Sequence, residues 1–472
     1  MNTLYAKKTI GIWGFGIVGR AALPYFSGQG ADKIIILDKK NPNLADLHLI
    51  EHYQAQWILQ ENTVQTELFL KTCDIILPSP GIDTHLFSHH SDRFISEADI
   101  FRSEFNATII AITGSLGKTT TAALLTSLLT HHISKTPVCL GGNIGTGMLE
   151  LLGIGAPASH AVLELSSFQL EYTRAFSPEL AIITNLYPNH LDRHGSMEAY
   201  ALAKSNIFAQ QKPDQQLILP IDLVKNKAVK IDEHKGKLNI VSLKKPEVDV
   251  QREMNYATYF YLENNSIKKK CTNQKVENIV NIKELPDITF PQNWLTITAA
   301  LTCLNISLDI PWIQDQKEKL LRPPQIDPIK VVTQRHRLEK RTISGIDFYN
   351  DSKSTVMEAT LAALEKLQGK PTILLLGGIS KGVNRSGMIK LLEKKAELVV
   401  CFGAEANNLH QLCRENNILS YATTTLTEAT ALAIKHARTG WQILLSPGGA
   451  SFDLFTNHQE RGDVFFKLIE TQ

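Results

Sequence analysis

Short, strongly apolar runs recur along the chain, and most of them end in a loop rich in glycine, serine or proline. Examples are TIGIW (9–13), KIIILD (33–38) and ATIIAI (107–112), which are rich in β-branched residues. Segments with helical spacing alternate with these runs, such as TAALLTSLLT (121–130). An alternation of strands and helices predicts parallel sheets that are covered by helices. We therefore predict an α/β fold.

The turn GFGIVG (14–19) separates the first predicted strand from a helix, and Asp38 ends the next predicted strand. This is the G-x-G-x-x-G spacing of a βαβ unit, with an acidic residue about twenty positions after the last glycine. Glycines at these positions let a diphosphate approach the N-terminus of the helix. NAD and any other nucleotide diphosphate satisfy this pattern equally, so the motif alone leaves the ligand open.

The loop TGSLGKTT (113–120) lies between an apolar strand and a helix. The backbone N–H groups of its glycine turn can point at phosphate oxygens, and the Lys118 ammonium can neutralise developing charge. Thr119 or Thr120 can offer a hydroxyl to Mg²⁺. The loop predicts a site for nucleotide phosphates.

Polar residues follow two further predicted strands, HAVLELSSFQLE (160–171) and LAIITNLYPNH (180–190). Glu164 and His190 are plausible ligands of a cation near the phosphate loop, although Mg²⁺ prefers oxygen. Lys204 interrupts the apolar helical segment MEAYALAKSNIF. Its side chain would either extend to solvent along the helix or belong to the site.

The last third of the chain repeats the alternation of strands and helices, and its loops carry isolated cations. Lys353 lies in NDSKST, Lys381 lies in GGISKG, and a third loop reads SPGGASFD (446–453). Ligands of open parallel sheets bind beyond the carboxyl ends of the strands. These lysines therefore suit a carboxylate substrate, and Arg337 is placed to reach a neighbouring domain.

Composition narrows the class of protein. The chain has a net charge of +2 and 20% charged residues, and it has no basic stripe, so we expect no nucleic-acid partner. No apolar run is long enough to span a bilayer, and the N-terminus lacks a secretory signal. The six cysteines are scattered without a C-x-x-C pair. These features predict a cytoplasmic protein with reduced thiols, and we expect it to act as a monomer.

Together these motifs closely resemble the Mur ligases of peptidoglycan synthesis, in the family's order and over nearly the whole chain. The resemblance implies an ATP-dependent, ADP-forming acid–amino-acid ligase of cell-wall biogenesis, a process on which cell shape and cell division depend. It implies UDP-N-acetylmuramoyl-L-alanine and D-glutamate as substrates and an acyl phosphate as intermediate. The matching segments are GFGIVG, SPGI, TGSLGKTT, GGNIG, ELSSFQLE, NHLDRHGSMEAYALAK, HRLE, NDSKST, GGISKG and SPGGASFDLF.

The resemblance also assigns roles to individual residues, position by position. It implies two Mg²⁺ ions held by Thr119, Glu164, His190 and Lys204, with Lys204 carrying a CO₂-derived carbamate, and with Lys118 on the phosphates. The implied ATP contacts are Gly114, Ser115, Leu116, Gly117, Lys118, Thr119, Thr120, Asn293, Arg337 and Asp351. The implied contacts of the UDP-linked substrate are Gly14, Gly16, Ile17, Val18, Gly19, Asp38, Ser79, Gly81 and Asn143. The implied D-glutamate contacts are Lys353, Thr355, Lys381 and Ser451.

The resemblance also implies three domains: a Rossmann-like domain for the UDP-linked substrate at 1–97, a central P-loop-type ATPase domain at 98–333, and a Rossmann-like amino-acid-binding domain at 334–472. The Pro-rich segment LRPPQIDP (321–328) precedes the second boundary. Residues 221–285 are polar, rich in lysine and without a motif that we can interpret.

The sequence departs from the family pattern at a few positions. Ser115 and Leu116 stand where the family usually has Thr-Asn, Ile379 replaces an acid, and His458 replaces an aromatic residue. Ile17 and Val18 lack the hydroxyl that is often found in the uracil loop.

Rival interpretations are a sibling Mur ligase or a folylpolyglutamate synthase-like enzyme, a nucleotide-gated protein without activity, and an NAD-dependent oxidoreductase. The segments SPGGASFD and DRHGSMEAYALAK argue against a sibling ligase and against a folylpolyglutamate synthase-like enzyme. The presence of Lys118, Glu164, His190 and Lys204 argues against a nucleotide-gated protein without activity. An NAD-dependent oxidoreductase would leave the phosphate loop at 113–120 unexplained.

Overall fold

A computed structural model describes residues 4–133, 136–153, 158–229, 231, 234–247, 256–271, 274–321 and 335–470. The chain forms two compact units. The first contains Met1–Leu186 and Glu198–Val332, and the second contains Tyr187–Met197 and Thr333–Gln472. The strands form parallel or mainly parallel sheets with helices between them in sequence, which confirms the predicted α/β fold class.

The first sheet begins the first unit and has four parallel strands. Its strands are β1 (Thr9–Trp13), β2 (Lys33–Asp38), β3 (Gln56–Leu59) and β4 (Ile75–Pro78). The helices of this part are α1 (Ile17–Gly28), α2 (Leu44–His52), α3 (Thr63–Thr72), a 3₁₀ helix (His85–Arg93) and α4 (Glu97–Glu104). The strand order is β3-β2-β1-β4, so β1 lies between β2 and β4. The loops that follow these three strands therefore open at one edge of the sheet.

The second sheet of the first unit has nine strands. They are β5 (Thr108–Thr113), β6 (Val138–Gly142), β7 (His160–Glu164), β8 (Leu180–Ile183), β9 (Gln216–Pro220), β10 (Lys237–Ser242), β11 (Thr258–Glu263), β12 (Ser266–Lys270) and β13 (Glu277–Asn281). The order is β13-β12-β11-β10-β9-β8-β5-β7-β6, with antiparallel pairing only at β11–β12 and β12–β13 among the described residues. β5 thus lies between β7 and β8, which places its loop beside theirs.

Helices cover both faces of this sheet because its central strands are apolar throughout. The helices of this part are α5 (Lys118–His132), α6 (Met148–Gly153), α7 (Ser167–Leu170), α9 (Met197–Ser205), α10 (Ile221–Lys225), a 3₁₀ helix (Ile282–Glu284), α11 (Pro291–Cys303) and α12 (Ile310–Asp315), while α8 (Leu191–His194) belongs to the second unit. Ile110 and Ile112 pack with α5 and α11 on one face, and Ile109 and Ala111 pack with Phe208 on the other. Alternate residues of a strand face opposite sides of its sheet, so the apolar run is buried on both.

The third sheet forms the body of the second unit. Its strands are β14 (Glu339–Ile343), β15 (Ile346–Asn350), β16 (Thr372–Gly377), β17 (Leu398–Phe402), β18 (Ser420–Ala422) and β19 (Gln442–Leu445). The helices are α13 (Met357–Lys366), α14 (Ser386–Ile389), a 3₁₀ helix (Lys390–Leu392), α15 (Ala406–Glu415), α16 (Leu426–His436) and α17 (His458–Glu470). The order is β14-β15-β19-β16-β17-β18, with only β14 antiparallel among the described strands. The loops after β15, β19 and β16 are therefore neighbours.

The structure corrects two strand predictions. The strand predicted at 160–171 ends at Glu164, and the strand predicted at 180–190 ends at Ile183. Ser166 begins a short helix instead, because its hydroxyl accepts the N–H of Gln169 while the Gln169 side chain accepts the N–H of Ser166. This capping box satisfies backbone donors that a continuing strand would leave open.

Domain boundaries stay a prediction. The three sheets come from residues 9–78, 108–281 and 339–445, which fall inside the three predicted ranges. The boundary at 333 and residues 322–328 of the Pro-rich segment lie outside the described residues.

Candidate active site

The predicted diphosphate loop lies at the carboxyl edge of the first sheet. Gly14 has a φ of 88°, and a Cβ on Gly19 would lie 2.3 Å from the Gly14 carbonyl oxygen, so both positions need glycine. Asp38 accepts the N–H of Phe15 at 2.6 Å, and the Ser79 hydroxyl donates to the Gly14 carbonyl at 2.9 Å. The two side chains hold the loop in shape from β2 and β4. The other predicted contacts in the same loops are Gly16, Ile17, Val18 and Gly81.

The phosphate loop runs from the end of β5 to the start of α5, which confirms the strand–turn–helix prediction. Gly117 has a φ of 82° and caps α5 in the left-handed conformation. A Cβ on Gly114 would lie 2.0 Å from the Thr184 hydroxyl oxygen. The glycines therefore let the segment after β8 approach the loop closely, and they leave the backbone N–H groups at the helix start available to a ligand.

Asn185 fixes this loop, and sequence reasoning missed its role. Its side-chain oxygen accepts the Leu116 N–H at 2.8 Å, and its amide nitrogen donates to the Leu116 carbonyl at 3.0 Å. Thr184 adds a hydroxyl bond of 2.6 Å to the same carbonyl. All of these bonds engage the backbone, so the leucine side chain at 116 leaves the loop geometry intact. The available signal was the polar pair Thr184–Asn185 directly after an apolar strand.

Two side chains, Lys118 of the loop itself and Asn293 of α11, lie against the loop backbone. The Lys118 ammonium donates to the carbonyl oxygens of Gly114 at 2.9 Å and Ser115 at 3.2 Å. The position that a Cβ on Gly117 would take lies 2.8 Å from the side-chain oxygen of Asn293, which is buried. The structure thus brings two predicted ATP contacts to the loop. Thr119 is half-buried and Thr120 is buried in the first turn of α5.

Lys204 is almost completely buried, with 2% of its surface exposed, so it does not extend to solvent. Its amine donates to the Thr113 hydroxyl at 3.1 Å and to the Gly114 carbonyl at 3.2 Å. The pKa of Lys204 lies well below the ordinary lysine value, first because burial penalises the charged form and second because Lys118 is positive. Glu164 opposes this shift. The side chain is therefore a buried amine with reduced proton affinity.

Tyr200 lies one turn before Lys204 on the same face of α9 and contacts its amine. The sequence analysis did not identify this residue. The Lys204 nitrogen lies 4.8 Å from the centre of its ring, and its hydroxyl lies 3.1 Å from the Ser115 hydroxyl. Burial raises the pKa of Tyr200 to about 12, so it stays protonated. The i, i+4 spacing of a tyrosine and a lysine in an apolar helix was a usable signal.

Glu164 ends β7 and is buried, with 2% of its surface exposed. One carboxylate oxygen accepts the Asn143 side-chain N–H at 2.9 Å. The other oxygen, Oε2, is buried and has no hydrogen-bond partner among the residues that the structure describes. A buried carboxylate oxygen is costly unless something positive meets it. This oxygen fits a ligand of a divalent cation, and hard cations such as Mg²⁺ prefer carboxylate oxygen.

His190 belongs to the second compact unit, in the segment Tyr187–Met197. It takes a left-handed φ of 56° at the N-cap of α8, an uncommon conformation for a residue other than glycine. Its approach to Glu164 and Lys204 therefore stays a prediction. Within the second unit, the Lys381 ammonium lies 3.5 Å from the Asn189 side-chain oxygen, and the Lys381 carbonyl accepts the Asp192 N–H at 3.3 Å.

The predicted amino-acid loops meet at the carboxyl edge of the third sheet. Ile379 and Ala450 exchange two backbone hydrogen bonds of 2.8 Å, which joins the Lys381 loop to the Ser451 loop. Lys353 and Thr355 lie in the adjacent loop after β15. Ile379 uses its backbone here, so the loss of the family's acidic side chain leaves this pairing in place.

Asp351 and Arg337 also belong to this edge. Asp351 is buried, and its carboxylate accepts the hydroxyls of Ser446 at 2.8 Å and Ser354 at 2.5 Å. Burial raises the pKa of Asp351 to about 6, while these bonds and the positive charge of Arg337 oppose the rise. With a pKa of about 6 the carboxylate is mostly ionised at neutral pH, and the charge of Arg337 favours that form. The common ATP contact of the two residues stays a prediction.

The loops form a positively charged environment around His458. The pKa of His458 falls to about 4, first because of burial and then because Lys353, Arg461 and Arg337 are positive. The imidazole is therefore neutral at neutral pH. Burial disfavours charge of either sign, so only the contribution of the neighbouring cations, Lys353, Arg461 and Arg337, points to a preference for an anion here.

Arg461 is fully buried in α17 and holds two of these loops together. Its guanidinium donates to the Ser352 carbonyl at 2.7 Å, to the Ser352 hydroxyl at 2.9 Å and to the Gly449 carbonyl at 3.1 Å. Sequence reasoning missed it, although an arginine among the apolar positions of an amphipathic helix was a signal.

Arg461→Ala is expected to lower the free energy of unfolding by at least about 2 kcal/mol, since it leaves buried acceptors without donors. Urea unfolding of the purified protein measures the change. Arg414→Ala, at an exposed position of α15, is the matched control and should stay within about 0.5 kcal/mol of the parent. Equal stability of the two variants would show that Arg461 does not hold the loops.

The chain is similar to known proteins over nearly its whole length. The Mur ligase middle domain matches residues 112–283. Proteins named UDP-N-acetylmuramoylalanine--D-glutamate ligase from Koribacter versatilis and from Buchnera aphidicola subsp. Schizaphis graminum are 31% and 32% identical to this chain. The first alignment covers 98% of this chain and 97% of the relative, and the second covers 99% of both. The chain belongs to the Mur ligase family.

Solved structures agree with the fold of this Mur ligase. The MurF ligase of Thermotoga maritima in complex with ADP is 15% identical, has a TM-score of 0.55, and matches 99% of this chain and 96% of its own. The UDP-N-acetylmuramate-alanine ligase MurC of Thermotoga maritima is 15% identical, has a TM-score of 0.54, and matches 98% of this chain and 99% of its own. At this identity the likeness concerns the fold. No helix in the described part of this Mur ligase has the length and apolar character needed to cross a bilayer.

Proposed function

We propose that this Mur ligase uses ATP to join D-glutamate to UDP-N-acetylmuramoyl-L-alanine, a cytoplasmic step of peptidoglycan synthesis that releases ADP and phosphate. The observation that carries the proposal is the meeting of Lys118, buried Lys204 and a Glu164 oxygen that has no partner among the described residues, around one phosphate loop. The choice of substrates rests on full-length similarity to relatives that carry this name.

The reaction must first activate a carboxylate, which is a poor electrophile. A carboxylate oxygen of the substrate alanine attacks the γ-phosphorus of ATP, and the bond to ADP breaks. The D-glutamate amine then attacks the acyl-phosphate carbon, forms a tetrahedral intermediate, loses a proton and expels phosphate. The Lys118 ammonium, which lies beside the phosphate loop, would balance charge on the transferring phosphoryl group, and the backbone N–H groups at the start of α5 would hold the other phosphates.

The metal set that we propose is Thr119, Glu164, His190 and carbamylated Lys204. The buried Oε2 of Glu164 supports it, because a cation would satisfy that atom. When bound, two Mg²⁺ ions would neutralise charge on the phosphates and on the developing oxyanion. Asn143 orients the Glu164 carboxylate through its other oxygen, and we propose that it contacts the substrate near the reacting group.

The environment of Lys204 supports the proposed carbamate. Only an unprotonated amine has the electron pair that attacks CO₂, and burial and Lys118 both favour that form. The new N–C bond forms as the amine loses a proton, and the product carries a carboxylate-like charge. That charge would suit both Lys118 and a cation, so it would remove the repulsion that the lysine ammonium would meet.

The remaining sites follow from the chemistry of the ligands. The diphosphate of the UDP-linked substrate would lie at the N-terminus of α1, at the loop shaped by Gly14, Asp38 and Ser79. ATP would also contact Asn293, Arg337 and Asp351. D-glutamate carries two carboxylates, and the loops of Lys353, Thr355, Lys381 and Ser451 offer cations and hydroxyls beside a neutral His458.

One experiment tests the proposal as a whole. Purified protein with ATP, Mg²⁺ and UDP-N-acetylmuramoyl-L-alanine is assayed for phosphate release across a panel of amino acids. D-glutamate should stimulate release far more than L-alanine or diaminopimelate. Stimulation by another amino acid, with the matching UDP-linked acceptor, would assign a sibling reaction, and no stimulation by any would refute a ligase.

Lys381→Ala is expected to raise the KM for D-glutamate about ten- to a hundredfold, since a carboxylate that loses its cation loses a charge-assisted bond of roughly 1.5–3 kcal/mol. Alanine keeps a Cβ, so the φ of 53° at this position is not relieved. The KM for ATP should change much less. Lys390→Ala, at an exposed position of the same unit, is the control. An unchanged KM for D-glutamate, or an equal loss for ATP, would place the amino-acid contacts elsewhere.

A further inference from the structure

Two adjacent histidines of the 3₁₀ helix His85–Arg93 face one carboxylate of α3. His89 Nε2 lies 3.0 Å from Glu67 Oε1, and His90 Nε2 lies 3.0 Å from Glu67 Oε2. One ligand atom from each residue lies within 4.8 Å of the other two. Three groups that commonly bind metal ions therefore converge at one place, and neither the phosphate loop nor the proposed substrate contacts use them.

The packing of the 3₁₀ helix holds this arrangement in place. Phe87 is buried against Trp13, with 5.5 Å between the ring centres, and its φ of −118° marks a kink before the histidines. At the other end, Arg93 donates to the carbonyls of Leu70 and Cys73 at 3.0 Å and 3.4 Å, which docks the helix on the end of α3. The ligands therefore come from two elements that are fixed to each other by other contacts.

The exposure of the three side chains suits a site that is both anchored and accessible. The His90 side chain is 9% exposed, that of Glu67 is 30% exposed and that of His89 is 58% exposed. A metal ion could reach the cluster from solvent, while His90 would hold its ligand atom in a fixed position.

The donor set favours a borderline transition metal over Mg²⁺. Zn²⁺ binds imidazole nitrogen at about 2.0–2.1 Å and carboxylate oxygen at about 2.0–2.2 Å, with tetrahedral geometry. Ligand atoms in such a site lie roughly 3.3 Å apart by those bond lengths. Each imidazole nitrogen lies 3.0 Å from a different oxygen of Glu67, and the three ligand atoms lie within 4.8 Å of one another, so small side-chain rotations would bring them onto one ion. Mg²⁺ requires oxygen ligands and octahedral geometry, and it would not compete.

We propose that Glu67, His89 and His90 form a binding site for a divalent transition metal, best suited to Zn²⁺, with a fourth position left to water. A bound ion would tie the 3₁₀ helix to α3. That helix follows the Ser79–Gly81 loop in sequence, so the site would stabilise the part of the first sheet that we propose for the UDP-linked substrate. The proposal does not depend on the ligase reaction, because its residues take no part in it.

Zinc binding to the full-length protein tests the site directly. Chelator-treated protein is titrated with Zn²⁺ against a chromophoric zinc indicator in excess Mg²⁺. His89→Ala and His90→Gln should each raise the Kd for Zn²⁺ at least about tenfold, since even the loss of a residue that only supports a metal ligand has an effect of that size. His85→Ala is the matched control, because His85 lies on the same 3₁₀ helix and pairs with Asp83 and Glu171 instead. It should bind like the parent.

Two further measurements keep the test decisive. Co²⁺ in place of Zn²⁺ should give the strong visible absorption of a tetrahedral site in the parent and in His85→Ala, but not in His89→Ala. Without metal, His89→Ala should unfold at the parent's temperature, because its side chain is mostly exposed; with Zn²⁺ only the parent and the control should gain thermal stability. Equal zinc affinity in His89→Ala, His90→Gln and the parent would overturn the proposal and leave the cluster as an ion pair only.

Discussion

Lys118→Ala is expected to lower kcat for phosphate release about 100- to 1000-fold, which corresponds to about 2.7–4 kcal/mol of transition-state stabilisation, as for the loss of a key electrostatic donor. The ammonium lies at the centre of the loop, 2.9 Å from the Gly114 carbonyl and 3.2 Å from the Ser115 carbonyl. Charge develops on the transferring phosphoryl group, so the loss should appear in kcat more than in the affinity for ADP.

Steady-state kinetics and ADP binding by calorimetry separate these effects. Lys225→Ala, at an exposed position of the same compact unit, controls for the loss of a lysine and should behave like the parent. Phosphate release by Lys118→Ala at the parental rate would remove Lys118 from the chemistry. A loss confined to ADP affinity would give it a role in ground-state binding only.

Lys204→Ala is expected to lose nearly all activity, at least about a thousandfold or ~4 kcal/mol. Two losses combine in this variant: the proposed carbamate oxygens disappear, and a buried side chain of 2% exposure leaves a void beside Thr113 and Gly114. Short carboxylic acids such as acetate or formate should enter that void and restore part of the activity, since they supply the missing oxygens.

Lys204→Arg is the matched variant for this test. Arginine keeps a positive charge and fills the space, but it cannot form the carbamate, because its guanidinium stays protonated. It should therefore be inactive and should not respond to acetate. Labelled bicarbonate should give a carbamate carbon signal by NMR in the parent and none in Lys204→Arg. Full activity of Lys204→Ala in CO₂-depleted buffer would exclude the modification.

The phosphate loop illustrates how far local pattern reaches. The run ATIIAI, the glycine turn and the apolar helix predict the strand, the cradle and the helix N-terminus, and each is local. The hydrogen bonds between Asn185 and the Leu116 backbone form because β8 lies next to β5, and this adjacency is set by the order of strands in the sheet. Adjacency of strands that are 70 residues apart is a tertiary property, so pattern alone did not identify this residue.

The polar region 221–285 has regular structure that its sequence pattern did not predict. It carried no interpretable motif, yet β10, β11, β12 and β13 extend the second sheet there. The charge lies mainly in the two outermost of these strands, β12 (SIKKK) and β13 (ENIVN), while β10 and β11 are largely buried. Charge near the edge of a sheet weakens the regular alternation by which a strand is predicted. The burial that stabilises them comes from packing against α11 and its neighbours.

The α/β class, the phosphate loop and the order of motifs that resembles the Mur ligases can be read from local pattern, because glycine turns and apolar runs act within a few residues. Local pattern also singles out Lys204, a lysine in an apolar helical segment. Three features of the site come from the packed fold instead: this lysine is buried with a lowered pKa, one oxygen of Glu164 has no partner among the described residues, and Arg461 joins two loops. Burial and partner choice depend on which distant segments meet, and the free energy of a charged group is set by those neighbours rather than by its place in the chain.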